Sequence, residues 1–250
     1  MMFRKYYQYR FFNPFKAVFF FLADVVVKHK IFAVESNYLS DRKNKKIIAF
    51  SLYGDEDRYI NNIESCISSY KAFFPGWQIR IYMSRDITNK IFNRIKELGC
   101  EIIVMKQEGK DFRYMYWRFL PLDDIDTDVV LIRDIDSIAS ERERKMVDEW
   151  LYSNKKLHII RDHFLHNSKI MGGMWGICIN KKPYGILKKM HKFTKKNRYG
   201  SDQRFLEIIY NDHITDMHVN DVMHRYLNEN PVIIPNPHAH FHIGQINVKS

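Results

Sequence analysis

The chain has 250 residues, 46% hydrophobic and 15% aromatic, which is enough apolar material for one large folded domain and excludes a disordered chain. Forty lysines and arginines against 29 acidic residues give a formal net charge of +11, which favours an anionic partner such as a phosphorylated ligand, a lipid surface or nucleic acid. The three cysteines are far apart and lack a CxxC spacing, which argues against a disulfide framework or a cysteine zinc site and favours a reducing, cytoplasmic environment.

The first 45 residues are predicted to form an N-terminal extension, and residues 46–250 the main domain. Residues 1–30 are rich in basic and aromatic side chains, and their apolar run, 15–27, is interrupted by Lys16 and Asp24. This run is too short and too charged to span a bilayer, which requires about 20 apolar residues, and no signal-peptide cleavage site follows it. Two interpretations stay open: a helix lying on an anionic membrane surface, or an extra helix packed on the domain. The polar residues 35–46 are predicted to be a linker.

From residue 47 onward, apolar strands alternate with amphipathic helices. Strands are predicted at 47–54, 78–83, 101–105, 129–133, 157–161 and 174–180, and helices at 60–74, 87–98, 141–152, 184–196 and 202–211. This alternation predicts an α/β fold with a mostly parallel sheet, in which ligands bind outside the carboxyl ends of the strands. The tail from residue 231 is predicted to be irregular.

Two aspartates, Asp134 and Asp136, directly follow the apolar strand predicted at 129–133. Side chains two positions apart in an extended segment point the same way, so both carboxylates can converge on one cation. Carboxylate oxygens suit Mg²⁺ or Mn²⁺, and both ions bind diphosphates. An Asp-x-Asp sequence is also common by chance, and the ordinary alternative is a polar strand end.

Further polar groups flank this pair in the sequence. Arg118 lies upstream in an aromatic segment and is a candidate diphosphate or base contact, although it could instead pair with the acidic residues at 123–124. Three histidines lie near the chain end: His238, His240 and His242. A neutral imidazole can add one ligand to Mn²⁺, and His242 is favoured because Gly244 follows it; three alternate histidines are also compatible with zinc.

Several segments resemble nucleotide-sugar glycosyltransferases of the GT-A type from bacterial surface-polysaccharide synthesis. They are WRFLPLDD (117–124), RDIDSIASERERKMVDEW (133–150), HIIRDHFLHNSKIMGGMWGI (158–177), GSDQRFL (200–206) and HIG (242–244). The last three resemble glycosyltransferase family 8 more loosely. The likeness covers residues 47–245. Residues 245–247 are Gln-Ile-Asn where family 8 has Lys-Pro-Trp, which weakens any transfer of donor sugar or stereochemistry.

The resemblance implies a single Rossmann-like GT-A domain that uses Mn²⁺ or Mg²⁺. Such an enzyme moves a sugar from a nucleoside diphosphate donor, with UDP favoured and retention slightly favoured, to a glycan or lipid-linked acceptor at the inner membrane face. By position, the implied metal ligands are Asp134, Asp136 and His242. The implied donor-binding residues are Tyr53, Arg118, Asp134, Ile135, Asp136, His163, Gly173 and Gln203. The implied catalytic residues are Asp202 and Asp162, and residues 172–174 would line the acceptor side.

Each of these residues also has an ordinary structural interpretation. Asp202 follows Ser201, a candidate N-cap, and an acidic residue in a first helical turn favours the helix dipole. Asp162 and His163 could form a turn with a salt bridge, and residues 172–173 could be only a flexible turn. Structural or surface roles are predicted for two tryptophans and three histidines: Trp150, Trp175, His158, His166 and His191.

Two other functions use the same residues differently. A metal-dependent phosphohydrolase or nucleotidyltransferase would direct the aspartates to another phosphate. A basic nucleic-acid-binding module is disfavoured because the sequence has no RNP-like, zinc-finger or helix-turn-helix signature and its lysines are scattered. We therefore expect no nucleic-acid partner.

Overall fold

The computed structural model describes residues 31–41, 45–54, 57–180, 182–190, 193–194, 197–236 and 242–245. The predictions for residues 1–30, for His191 and for His238 and His240 lie outside these ranges. Within them, no helix has the length and apolar character that crossing a membrane would require.

Strands and helices alternate along the described chain. The strands are β1 (Val34–Tyr38), β2 (Lys45–Leu52), β3 (Gln78–Ser84), β4 (Glu101–Met105), β5 (Thr127–Ile132), β6 (Leu157–Arg161), β7 (Trp175–Cys178), β8 (Met217–Asp221) and β9 (Val232–Ile233). The helices are α1 (Asp57–Phe73), α2 (Thr88–Glu97), α3 (Glu141–Tyr152), α4 (Ile186–Met190) and α5 (Ser201–Asp212), with 3₁₀ segments at Arg85–Ile87 and Phe112–Asp123.

All described strands belong to one mixed sheet with the order β1-β4-β3-β2-β5-β7-β6-β8-β9. Pairing is parallel except at β1, which runs antiparallel to β4, and at β7, which runs antiparallel to both β5 and β6. The predicted α/β class with a mostly parallel sheet is therefore confirmed. Because β7 is reversed, its amino end lies at the edge where β5 and β6 end.

Buried apolar side chains cover both faces of the sheet. On one face, alternate residues of the central strands pack with α1, α2 and α3, and Trp150 is fully buried there. On the other face, Trp175 is fully buried and packs with the long 3₁₀ segment and α5. The predicted structural role of the two tryptophans is confirmed.

Three sequence predictions of elements are wrong. Residues 35–46, predicted as a linker, contribute β1, so the sheet includes residues before the predicted boundary at 45/46. An edge strand pairs through its backbone and needs no apolar face, and residues 35–38 are exposed. The tail predicted to be irregular contributes β9, whose two residues are also exposed. The helix predicted over 184–196 is confined to α4, since the described residues after Met190 form turns or irregular structure.

A buried ion-pair network joins β6 to β8 and the loop that follows β8. The fully buried Arg161 donates to Asp221 at 2.6 Å, to Glu229 and to the Lys169 carbonyl at 2.7 Å. Both carboxylates are buried as well. Removing one partner of a buried ion pair is costly because the remaining charge stays uncompensated.

We expect Arg161→Met to lower the free energy of unfolding by about 3–5 kcal/mol, because it removes the cation paired with the buried Glu229 and leaves Asp221 with Arg225 alone. Urea unfolding measures this loss. Lys145→Met is the matched control, since it removes a cation from an exposed pair with Glu141 and should cost less than about 1 kcal/mol. Equal losses in the two variants would contradict the assigned role of Arg161.

Candidate active site

Residues from five parts of the chain meet at the carboxyl edge of the sheet. Tyr53 follows β2, Asp134 follows β5 and Asp162 follows β6, while residues 172–173 precede the reversed strand β7. Asp202 lies in the first turn of α5. This edge is where parallel α/β sheets bind ligands.

Arg118 is at the centre of this edge. The long 3₁₀ segment presents it, its backbone N–H donates to Ser51 Oγ at 3.0 Å, and its side chain is only 4% exposed. One end of the guanidinium pairs with Asp134, and Nη2 lies 3.4 Å from Asp202 Oδ2. The alternative pairing with residues 123–124 is therefore wrong, because Arg118 bridges the loop after β5 to helix α5.

Asp202 is a buried carboxylate. Its Oδ1 accepts a hydrogen bond from the Gln203 backbone N–H at 3.0 Å. Burial raises its pKa, the Arg118 cation partly offsets that rise, and the nearby Asp134 adds to it. The helix begins at Ser201 with Gly200 at the N-cap, so the prediction of Ser201 as N-cap is wrong. Gly200 has a φ of +73°, which a glycine adopts without steric cost.

The Asp134–Asp136 segment is a turn, and the predicted extended geometry is wrong. The Asp134 carbonyl accepts hydrogen bonds from the Ser137 backbone N–H at 3.2 Å and from Ser137 Oγ at 2.7 Å. The Asp134 side chain is 47% exposed, whereas Asp136 is 8% exposed. Ile135, a predicted donor-binding residue, is buried and packs in the core. Asp134 is thus the more accessible carboxylate of the pair.

Glycines 172 and 173 are required by close packing rather than by a flexible turn. A Cβ at Gly173 would overlap the Asp134 carboxylate, and a Cβ at Gly172 would lie 2.9 Å from Asp202 Oδ2 and 3.0 Å from Arg118 Nη2. The Gln203 amide satisfies both neighbours when its oxygen faces the Gly172 N–H at 3.1 Å and its nitrogen faces the Ile170 carbonyl at 2.6 Å. Gln203 therefore supports the glycine turn.

Tyr53 belongs to an aromatic cluster at the same edge. Its ring lies edge-on to Tyr114 and Trp117, with ring centroids 5.6 and 6.2 Å apart. Tyr114 and Trp117 stack on each other at 4.3 Å. Burial raises the pKa of Tyr53, so the phenol stays protonated at neutral pH. Sequence reasoning did not single out Tyr114 or Trp117, although the aromatic run 112–119 signalled them.

A second group of residues lies beside this one, around the end of β6. Asp162 is fully buried and accepts hydrogen bonds from Arg142 Nε at 2.9 Å and from the Ile243 backbone N–H at 2.9 Å. Asp162 therefore forms a salt bridge, as the structural interpretation predicts, and its partner is an arginine. His163 contacts His242, with ring centroids 4.9 Å apart.

His166 completes this histidine cluster, a placement that sequence reasoning missed. Its ring centroid lies 5.1 Å from that of His242 and 5.7 Å from that of His163. Burial, followed by the charges of the two neighbouring histidines, lowers the pKa of His166 to about 4. His166 is therefore neutral at physiological pH.

The three predicted metal ligands come to one edge but do not form a complete cage. Asp134 contacts Gly173, and Gly244 packs on the adjacent Met174. His242 Nδ1 donates to the Ile243 carbonyl at 3.0 Å, which leaves Nε2 as the lone-pair donor that a metal requires. Among the residues that the structure describes, no three His, Cys, Asp or Glu side chains are grouped to hold an ion. The accessible carboxylate here is Asp134, so a Mg²⁺-type ion at this edge would need substrate phosphates and water for most of its ligands.

Solved structures similar to this chain include the glycosyltransferase GlyE of Streptococcus pneumoniae TIGR4, which is 22% identical. That match covers 70% of this chain and 45% of GlyE, and its TM-score is 0.47. S. aureus TarS 1–349 is 12% identical, with 70% of this chain and 57% of that chain covered and a TM-score of 0.46. The same protein in complex with UDP is 13% identical over the same shares, also at 0.46. This chain thus spans about half the length of these structures. No protein-family model and no curated protein matches it.

We expect Arg118→Met to reduce the free energy of unfolding by about 3–5 kcal/mol at pH 8, because it leaves the buried Asp202 carboxylate without a cation. Losing Arg118 raises the already elevated pKa of Asp202 further. From the unfolded-state pKa of about 3.9 up to the raised folded-state value, the native state binds more protons than the unfolded state, so stability falls as pH rises. The difference in unfolding free energy between wild type and Arg118→Met should therefore become smaller as pH is lowered.

Urea unfolding at pH 8, 6.5 and 5 measures this recovery. The loss of stability in Arg118→Met/Asp202→Asn relative to Asp202→Asn should not depend on pH, because neither protein carries the titrating carboxyl. A deficit in the single variant that stays constant from pH 8 to pH 5 would contradict the assigned Arg118–Asp202 pair.

Proposed function

We propose that this chain is a metal-dependent glycosyltransferase of the GT-A type that transfers a sugar from a nucleoside diphosphate donor to a glycan or lipid-linked acceptor. The observation that carries the proposal is the buried Arg118, which is paired with the accessible Asp134 at the carboxyl edge of the sheet. The sequence segments that contribute these residues are the ones that resemble such enzymes. UDP is the favoured nucleotide.

The proposed donor site extends from Tyr53 to Asp134. The Tyr53 ring would flank the base, and Arg118 would face the diphosphate. As the glycosidic bond breaks, negative charge accumulates on the leaving diphosphate, and a preorganised cation in a desolvated site stabilises that charge more than it stabilises the bound donor. Mn²⁺ or Mg²⁺, held by Asp134 and Asp136 with His242, would supply further positive charge at the diphosphate.

Asp202 is the carboxylate that the proposal places beside the anomeric carbon. Its position next to Arg118 and Gly172 supports this role, and burial raises its pKa, which makes it a stronger base than an exposed aspartate. With retention, which is favoured, an oxygen of the leaving phosphate accepts the acceptor proton and Asp202 stabilises the developing positive charge of the sugar. With inversion, Asp202 is the general base.

The acceptor is proposed to reach the site from the side of residues 172–174 and His163. A lipid-linked acceptor would place the enzyme at the inner membrane face, where the basic residues 1–30 would meet anionic lipid. Liposome binding by the full chain and by a variant lacking residues 1–30, which keeps the core residues Ile31 and Phe32, tests this placement. Equal binding by the two proteins would reject it.

A thermal-shift panel of UDP-, GDP- and CMP-sugars, each with and without Mn²⁺, tests the donor. A ligand that binds only the native state raises the melting temperature by mass action. We expect a shift with a UDP-sugar that requires Mn²⁺ and disappears with EDTA. The nucleotide-sugar that shifts the protein is then offered with glycan and lipid-linked acceptors. Release of phosphate or sugar without an acceptor, and no transfer, would favour a phosphohydrolase or nucleotidyltransferase instead.

We expect Asp134→Asn to reduce transfer about 10²–10³-fold, the scale of losing one preorganised electrostatic contact in an active site. The native fold should persist, because the Asp134 side chain is half exposed. Initial rates at saturating donor measure the loss. The matched control is Asp148→Asn, which alters an exposed aspartate paired with Arg144 on α3 and should leave the rate unchanged. Wild-type rates in Asp134→Asn would reject the proposed site.

A further inference from the structure

An ion pair between the partly exposed Arg142 and the buried Asp162 contacts the C-terminal segment of the domain. Residues 242–244 come after β9 in the chain and return to the sheet edge formed by the carboxyl end of β6 and the amino end of β7. Their approach is close, since Gly244, with a φ of +82°, leaves no room for a Cβ against Met174. Met174 follows Gly173, which itself contacts Asp134. The segment that carries His242 therefore packs on Met174, which is the neighbour in sequence of Gly173 at the proposed donor site.

Arg142 and Asp162 hold this segment at two points. Asp162 Oδ1 is paired with Arg142, and its Oδ2 accepts the Ile243 backbone N–H at 2.9 Å. Arg142 also donates to the carbonyl of Pro235. The Arg142–Asp162 pair thus holds the chain at Pro235 and again at Ile243. It connects both points to the start of α3, which carries Arg142, and to the end of β6, which Asp162 follows.

This geometry leaves Asp162 unsuited to act as a general base. A base needs a free lone pair within hydrogen-bond reach of the proton that it removes. Both Asp162 oxygens are engaged at 2.9 Å or less, and the side chain is fully buried. In contrast, Asp202 Oδ2 lies 3.4 Å from Arg118 Nη2, at the long limit of a hydrogen bond. A carboxylate fixed by an arginine and a backbone N–H is suited to holding a loop in one position.

We propose that Arg142 and Asp162 form a tether that positions His242–Gly244 at the donor site, and that Asp162 is a positioning residue and not the catalytic base. The proposal rests on the proposed function for its catalytic consequence. The placement of the segment itself does not depend on that function.

Hydrogen–deuterium exchange of the whole chain tests the tether without any ligand. In wild type, the Ile243 amide should be protected because it donates to a buried carboxylate. In Asp162→Ala and Arg142→Gln, its exchange should accelerate about 10–100-fold, the scale of losing a hydrogen bond to a charged group, while β2 to β5 stay protected. Asp162→Asn keeps an oxygen acceptor and should show a smaller increase than Asp162→Ala.

The matched control is Arg144→Gln on the same helix, which removes an arginine from an exposed pair with Asp148. It should leave the exchange of Ile243 unchanged. Unchanged exchange in both Asp162→Ala and Arg142→Gln would overturn the tether. Accelerated exchange throughout the sheet in these variants would also overturn it, since the pair would then be a general stability element.

UDP titrations at several Mn²⁺ concentrations test the catalytic consequence. We expect Arg142→Gln to raise the Mn²⁺ concentration for half-maximal UDP binding about tenfold, with partial rescue in Arg142→Lys and no change in the pH dependence of transfer. If Asp162→Asn abolishes turnover while Arg142→Gln keeps the wild-type Mn²⁺ requirement, Asp162 is the base and the proposal fails. If wild type binds no UDP, the proposed function fails while the exchange experiment still decides the tether.

Discussion

The candidate site depends on one buried cation that is shared by two carboxylates. A guanidinium is costly to bury unless its charge is matched, and Arg118 meets this requirement with Asp134 on one side and Asp202 on the other. The pairing fixes the loop after β5 against the first turn of α5. It fits only because Gly172 and Gly173 place no side chain in the same space. The ion pairs of Arg118 therefore require glycine at positions 172 and 173.

Much of the sheet could be predicted from the sequence, because buried strands and amphipathic helices have distinct apolar periods. β4, α3 and β6 begin and end at the predicted residues. The failures have physical reasons. β1 and β9 are exposed edge strands, held by backbone pairing and without an apolar pattern. β8 follows α5 with a half-polar sequence, MHVND, whose polar side chains include Asp221, an ion-pair partner of Arg161.

The sequence places the candidate residues at the carboxyl ends of strands, but it does not give the contacts between them. The positions of Asp134 and Asp162 could be predicted because each residue follows the end of a strand. The turn at Asp134–Asp136, the pairing of Arg118 with Asp202 and the clash that requires Gly173 involve residues more than 30 positions apart or a local hydrogen bond from Ser137. Such contacts follow from tertiary packing, which composition and periodicity do not encode. The different burial of Asp134 and Asp136, which look equivalent in the sequence, has the same origin.

The central claim is that the bridge formed by Arg118 makes this edge a nucleotide-sugar site. Calorimetric titration of UDP with Mn²⁺ into wild type and Arg118→Lys tests it directly, since lysine keeps the charge but lacks the planar fork that reaches both carboxylates. The account predicts that Arg118→Lys stays folded and binds UDP at least about tenfold more weakly, which corresponds to about 1.4 kcal/mol. Wild-type affinity in a folded Arg118→Lys protein would contradict it.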